Sequence, residues 1–321
     1  MTTESFQIAD RVRQVIAAVE VTSAHDFSAF RVGDVEFQSE KLREFRGKLS
    51  AALYDTLHAG RDSQRQQPRW IRDPAFEEKL AAATPHQYTI GTGRYAGRLD
   101  NGKILADLPT IRVKLTPDSV EGPAAYREIG DLLTLRLPAS RPALSPGFYL
   151  ADSPNGPPPA GPLLRLYVHL TDPDEAVAAW RTCLLTLATH GARYRAKISS
   201  ASWLYPRMDA LVVYLGQDAW TAVGELVDAL AALTGKGTAT SILASRLAPG
   251  ISYAWEPADA RAGKSGMSFG QHRSAALTDG LLTAAADPGT TREAAVWQAL
   301  HDANIDAGAP ERNLDSPHLQ W

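Results

Sequence analysis

Only one cysteine, Cys183, occurs in the 321 residues, so the chain can form neither an internal disulfide nor a thiolate metal site of its own. Inside a predicted helix, Cys183 is expected to be a small buried apolar side chain. The eight histidines are scattered, with no i, i+4 pair and no HExxH, which leaves no zinc signature. No apolar run reaches the ~20 residues that a membrane helix needs. The first residues, MTTESFQIADRVRQ, are polar and lack the apolar stretch of a secretory signal, so a cytoplasmic protein is expected. Lys and Arg number 33 against 36 Asp and Glu, a net charge of −3. That balance excludes a general attraction for nucleic acid or an acidic membrane. An anion site must come from local clustering. The hydrophobic content of 44% and charged content of 21% suit a soluble globular protein with a sizeable core.

Several familiar motifs are incomplete. GKS at Gly263 to Ser265 ends like a phosphate-binding loop, but Ala258 stands where that loop needs its first glycine. GTGRYAG from Gly91 has one residue too many before its third glycine and runs into a hairpin rather than a helix. There is no GxSxG elbow. Ordinary hydrolase, kinase and dehydrogenase readings lose their support.

The periodicity predicts an α+β protein: a mixed, mainly antiparallel sheet flanked by helices, with a helical N-terminal region over 1–85 and an α+β domain over 86–321, or one continuous unit. Ile8, Val12, Val15 and Val19 recur at helical spacing, as do Leu42, Phe45, Leu49, Leu53 and Leu57 between a cap at Ser39 and a stop at Gly60. RDSQRQQPR is a polar loop, and Asp73-Pro74 opens a short helix. A turn at Asp100-Asn101-Gly102 joins two strands. The Pro/Gly-rich stretch from Pro138 to Pro162 is expected to wrap the surface as a loop, interrupted by strand-like GFYLA. Asp172-Pro173 opens a helix that Gly191 ends, a further helix runs from about Asp218 to Leu233, and GKSGMSFGQHR is a loop leading to a helix near Ala275. A last helix surrounds Trp297 and Leu300.

Residues 165–214 carry the chemistry. LLRLYVHL places Arg165, Tyr167 and His169 at alternate positions, and ARYRAKISS does the same for Arg193, Arg195 and Lys197. Period two puts each set on one face. YPRMDALVVYL adds Arg207 and Tyr214. Taken alone, one such strand is a solvated face, and His169 a satisfied sheet histidine. Together the strands suit an anion with proton transfer beside it. Like charges around Lys197 disfavour its ammonium form, which makes it a candidate general base. The arginines fit a phosphate bidentately, Tyr167 or His169 offers a proton, and the glycine-rich loop with His272 and Arg273 offers further donors. The combination suits β-elimination of phosphate from phosphoserine or phosphothreonine, with no metal and no organic cofactor.

The stretches LREFRGKLSAALYDTLHAG, GDLLTLRLP with SPGFYLADSPNG, LLRLYVHL, ARYRAKISS with YPRMDALVVYL, and PGISYAWEP with SFGQHRSAALTDGLL resemble the Hop-type effector family. The stand-alone members it resembles are the phosphoserine/phosphothreonine lyases of class V lanthipeptide and thioamitide biosynthesis. The resemblance implies a precursor peptide (leader plus core) phosphorylated by a separate Ser/Thr kinase, then converted to dehydroalanine or dehydrobutyrine. A more distant similarity to phosphothreonine lyases implies Lys197 as base, with Arg207 and Tyr214 at the phosphate. There Arg165 stands in place of a lysine and Tyr167 in place of the histidine acid, so the acid is Tyr167 by position or His169 by chemistry. That departure leaves a second reading open: an effector-like or phosphopeptide-binding interaction protein without catalysis.

Overall fold

The structure, a computed structural model, describes residues 7–21, 29–39, 41–61, 72–122 and 127–319. Helix α1 (Asp10–Ala18) leads into a small antiparallel sheet of β1 (Val19–Val21), β2 (Ala29–Val32) and β3 (Val35–Gln38). The N-terminal region is therefore not purely helical. The cap position of helix α2 (Leu42–Leu53) is Lys41 rather than Ser39, whose hydroxyl donates to the Lys41 carbonyl instead. It continues as a π-helical turn, Tyr54–Ala59, and stops at Gly60, which takes the left-handed φ of 65°. Most of the RDSQRQQPR stretch lies outside the described residues. Helix α3 (Pro74–Ala83) is capped by Asp73, which accepts from the Phe76 N–H at 3.2 Å.

A four-stranded sheet follows, in the order β6 (Arg112–Leu115), β5 (Ile104–Asp107), β4 (Tyr88–Arg98), β7 (Leu132–Pro138). The Asp100-Asn101-Gly102 turn joins β4 to β5. The stretch after Pro138 is not a loop at first. It forms β8 (Ser140–Ser145) and β9 (Phe148–Asp152), which belong to the central sheet. Pro142 is tolerated because β8 is an edge strand, where a missing N–H costs no ladder bond.

The central sheet runs β13 (Ser245–Ala248), β14 (Ile251–Trp255), β10 (Leu164–Leu170), β12 (Arg207–Leu215), β11 (Tyr194–Ser199), β9, β8. Every described pairing is antiparallel. Helices α4 (Pro173–Thr189) and α5 (Val223–Ala231) cover one face. There Leu164, Leu166 and Val168 pack with Val213, Trp180, Leu184 and Leu226. Each such buried side chain contributes roughly 1.5–3 kcal/mol. Cys183 lies in this core, its thiol pKa pushed up by burial. The other face meets α2, α6 (Phe269–Ala286) and α7 (Arg292–Asp302) through Phe45, Leu49, Leu53, Phe269, Leu277 and Leu300. No helix among the described residues is long and apolar enough to cross a membrane.

Candidate functional site

Antiparallel register lines up residues that are far apart in sequence. Across β14, β10, β12, β11 and β9, one rung reads Ala254, Arg165, Tyr214, Arg195, Asp152. Two residues along, the same face reads Ser252, Tyr167, Val212, Lys197, Leu150. At the usual strand spacing, Arg165 and Arg195 stand about 10 Å apart on either side of Tyr214. Lys197 sits one step along from Arg195.

These four side chains line one cavity of about 400 Å³, with Glu256 among its walls. Arg165 is almost fully buried. Its Nη2 donates to Glu256 Oε1 at 2.5 Å, its Nε donates to the other carboxylate oxygen, and its guanidinium lies 4.9 Å from the Tyr214 ring centre. Burial opposes the charge, but Tyr167, Tyr214 and Glu256 outweigh it and raise the Arg165 pKa. Arg195 donates to Asp152 at 2.7 and 3.1 Å, and the fully buried Asp152 also holds Arg141 at 3.1 Å. Lys197 differs from both. Its Nζ lies 4.3 Å from the Phe148 ring centre and 5.8 Å from that of Tyr214. Among the described residues no carboxylate pairs with it. The cavity thus holds one lysine without a carboxylate partner beside arginines that have theirs.

Arg207 does not line this cavity. It is buried next door, where it donates to Asp209 at 2.7 and 2.8 Å and to the Tyr54 hydroxyl at 3.1 Å. The Tyr54 hydroxyl in turn donates to Asp209 at 2.9 Å. Despite burial, Arg207 and Tyr54 hold the Asp209 pKa below the usual carboxylate range. His58, one helical turn beyond Tyr54, bonds Ser241 at 3.0 Å and lies 3.8 Å from Asp209. Burial, aided by the cations around it, pushes the His58 pKa down to about 4. The π-helical turn that presents Tyr54 and His58 fits because residue 270 is glycine: a Cβ there would fall 2.3 Å from His58 Cδ2. Arg207 still reaches the cavity indirectly. Its guanidinium lies 5.5 Å from the centre of the Phe148 ring that also bears Lys197.

Four expected site residues take other positions. Tyr167 shares the Arg165 face, but its hydroxyl is fully buried. It lies beside the Arg165 guanidinium without a hydrogen bond of good geometry, and burial raises its pKa. His169 keeps the Tyr167 face, since Leu170 still packs with Leu164, Leu166 and Val168, but it lies two steps beyond Arg165 along β10 and does not line the cavity. Its Nδ1 lies 3.2 Å from the Ala239 carbonyl oxygen, and a Cβ on Gly237 would fall 2.2 Å from that nitrogen. His272 and Arg273 lie within α6, not in a loop before it. A capping box between Ser268 and Gln271 already occupies donors of that first turn. His272 faces Asp259 at 2.9 Å, and burial lowers its pKa to about 4. Arg273 is fully buried and donates to the carbonyls of Pro310 and Arg312, each at 3.0 Å, and to Asn313 at 2.9 Å. Burial lowers its pKa, yet a guanidinium keeps its proton at ordinary pH. It ties the C-terminal segment down rather than meeting an anion. Arg193 precedes β11 and pairs with Asp218 on the surface.

The span that builds this cavity also decides the family. Residues 139–312 match the HopA1 effector protein family. The chain belongs to that family. Among solved structures, this HopA1-family chain is similar to an effector protein from Pseudomonas syringae pv. tomato strain DC3000, at 15% identity over 95% of each chain with a TM-score of 0.49. It is also similar to an effector protein from Pseudomonas syringae pv. syringae strain 61, at 13% identity over 84% of this chain and 92% of the other, with a TM-score of 0.47. No curated protein matches the sequence. All seven strands of the central sheet fall within the HopA1 match, whereas Tyr54 and His58 precede it.

Sequence reasoning missed Glu256, Asp209, Phe148, Tyr54 and His58. Asp209 was within reach, since it stands two residues from Arg207 on the same strand. Tyr54 and His58 share a helical face at i, i+4, a weaker signal. Glu256 and Phe148 join the site only through strand order. Among the described residues no group of three or more His, Cys, Asp or Glu is placed to hold a metal ion.

Proposed function

We propose that this HopA1-family protein is a phosphoserine/phosphothreonine lyase that eliminates phosphate from a kinase-phosphorylated ribosomal precursor peptide. The observation that carries the reading is the Lys197 amine, without a carboxylate partner among the described residues, in one cavity with Arg165 and Arg195. Lys197 in its amine form takes the Cα proton of the phosphorylated residue. The Cα–H electron pair becomes the Cα=Cβ bond, the Cβ–O bond breaks, and phosphate leaves. Arg165 and Arg195 stabilise the charge that gathers on the phosphate oxygens. Tyr214, the phenol lining the cavity, donates a hydrogen bond to the leaving oxygen. Neither Tyr167 nor His169 lines the cavity, and the Tyr167 hydroxyl is fully buried, so neither is assigned the acid role. The product is dehydroalanine from phosphoserine or dehydrobutyrine from phosphothreonine, as lanthipeptide or thioamitide maturation requires.

A second reading rests on the aromatic contacts of Lys197. A cation lying over the faces of Phe148 and Tyr214 is also held as an inert ligand would be. On that view the cavity binds a phosphopeptide and releases it unchanged. Incubating the full chain with phosphoserine and phosphothreonine peptides, followed by mass spectrometry, separates the readings. Loss of the elements of phosphoric acid, with a product that adds thiols, supports the lyase. Binding with unchanged peptide mass supports the second reading, and release of phosphate with regenerated serine or threonine contradicts both.

A further inference from the structure

The cavity has more carbon around it than a phosphate needs. Besides its cations it is lined by Leu144, Leu150, Pro157, Pro158 and Leu163. Leu150 stands beside Lys197 in the register of β9 and β11. Leu144 is the next-to-last residue of the edge strand β8, with 58% of its surface exposed, a position where a leucine side chain adds little to the core. Pro157 and Pro158 are rigid, so this part of the lining is preformed. At about 400 Å³ the space exceeds one phosphorylated side chain and admits part of a neighbouring residue. Glu256 is the other discriminating group. Its carboxylate shares the cavity, with its side chain about one-third exposed, and opposes a second negative charge on the peptide.

We infer that the apolar lining selects peptides in which a residue adjoining the phosphorylated one is apolar, and that Glu256 disfavours an acidic neighbour there. This inference rests on the phosphopeptide reading of the cavity and names which phosphopeptides it takes. Desolvating an aliphatic side chain against Leu144 and the prolines separates substrates by about ten-fold or more.

The test uses the full chain and peptides carrying the phosphonomethyl analogue of phosphoserine, which cannot eliminate. The two neighbours of that residue are changed in turn to Leu, Ser or Asp, and dissociation constants are measured by calorimetry. At one of the two positions, the Leu peptide is expected to bind at least about ten-fold tighter than the Ser peptide, with the Asp peptide weakest. Leu144→Ser, at an exposed position that leaves the core untouched, is expected to bring the Leu-to-Ser ratio close to one. Glu256→Gln narrows the Asp penalty. Equal affinities for all neighbours, or an unchanged ratio in Leu144→Ser, overturn the selection while leaving the phosphopeptide reading in place. If no phosphonate peptide binds more tightly than its unmodified counterpart, the phosphopeptide reading itself fails, and the selection with it.

Discussion

Two cationic clusters share one face of the central sheet, and they differ in what remains after the protein has satisfied itself. In the buried cluster, Arg207 is consumed by Asp209 and Tyr54, and His58 by Ser241. In the open cluster, Glu256 and Asp152 pair with Arg165 and Arg195, Asp152 is shared with Arg141, and Lys197 is left over. Basic residues on a strand therefore do not mark a site by their presence. In the open cluster the lysine left without a carboxylate lines a cavity. The Phe148 ring joins the clusters, since Arg207 and Lys197 both lie against it.

The sharpest break in this comparison is Lys197→Ala. If Lys197 is the general base of an elimination, its loss slows that reaction by about 10²–10⁴-fold, measured as the rate of dehydro-product formation. The thermal midpoint should barely move, because no carboxylate is left unpaired. Asp209→Ala should do the reverse. It strands the Arg207 charge in the interior and is expected to cost about 3–5 kcal/mol in urea unfolding.

A pH titration of stability probes the buried cluster next. His58 has a folded pKa of about 4 against an ordinary value of 6.5. Above pH 6.5 the histidine is neutral in both states and its contribution is fully present. As pH falls from 6.5 towards 4, the unfolded chain takes a proton that the folded chain refuses, and stability declines by on the order of 3 kcal/mol. His272 shifts the same way, also to about 4. His58→Gln should remove one of these two contributions and flatten the decline between pH 6.5 and 4. The smallest expected effect is that of Tyr54→Phe. It deletes the hydroxyl between Asp209 and Arg207 at a cost of about 1 kcal/mol, read from the urea midpoint.

Much of this was legible before folding. The period-two strands placed Arg165 with Tyr167 and Arg195 with Lys197, and Asp73 and Asp172 announced their helices by preceding proline. Local chemistry alone carries such signals. Features set by long-range pairing were out of reach. Nothing near Arg165 in sequence indicates that Tyr214 and Arg195 extend its rung, or that Glu256, 91 residues away, receives its guanidinium. His169 keeps both the spacing and the face but lies outside the cavity, whose extent along β10 no local signal gives. Arg273 follows a glycine-rich stretch like a phosphate donor, yet carbonyls near residue 310 claim it. Pro142 reads as loop until β8 is seen to be an edge.

The most direct test of the central claim is chemical rescue of Lys197→Ala with small primary amines, following dehydro-product from a phosphothreonine peptide. If Lys197 is the base in that cavity, added alkylamine restores turnover, and the restored rate rises with amine basicity. A Lys197→Ala protein that eliminates phosphate as fast as the wild type, with amines making no difference, contradicts the account.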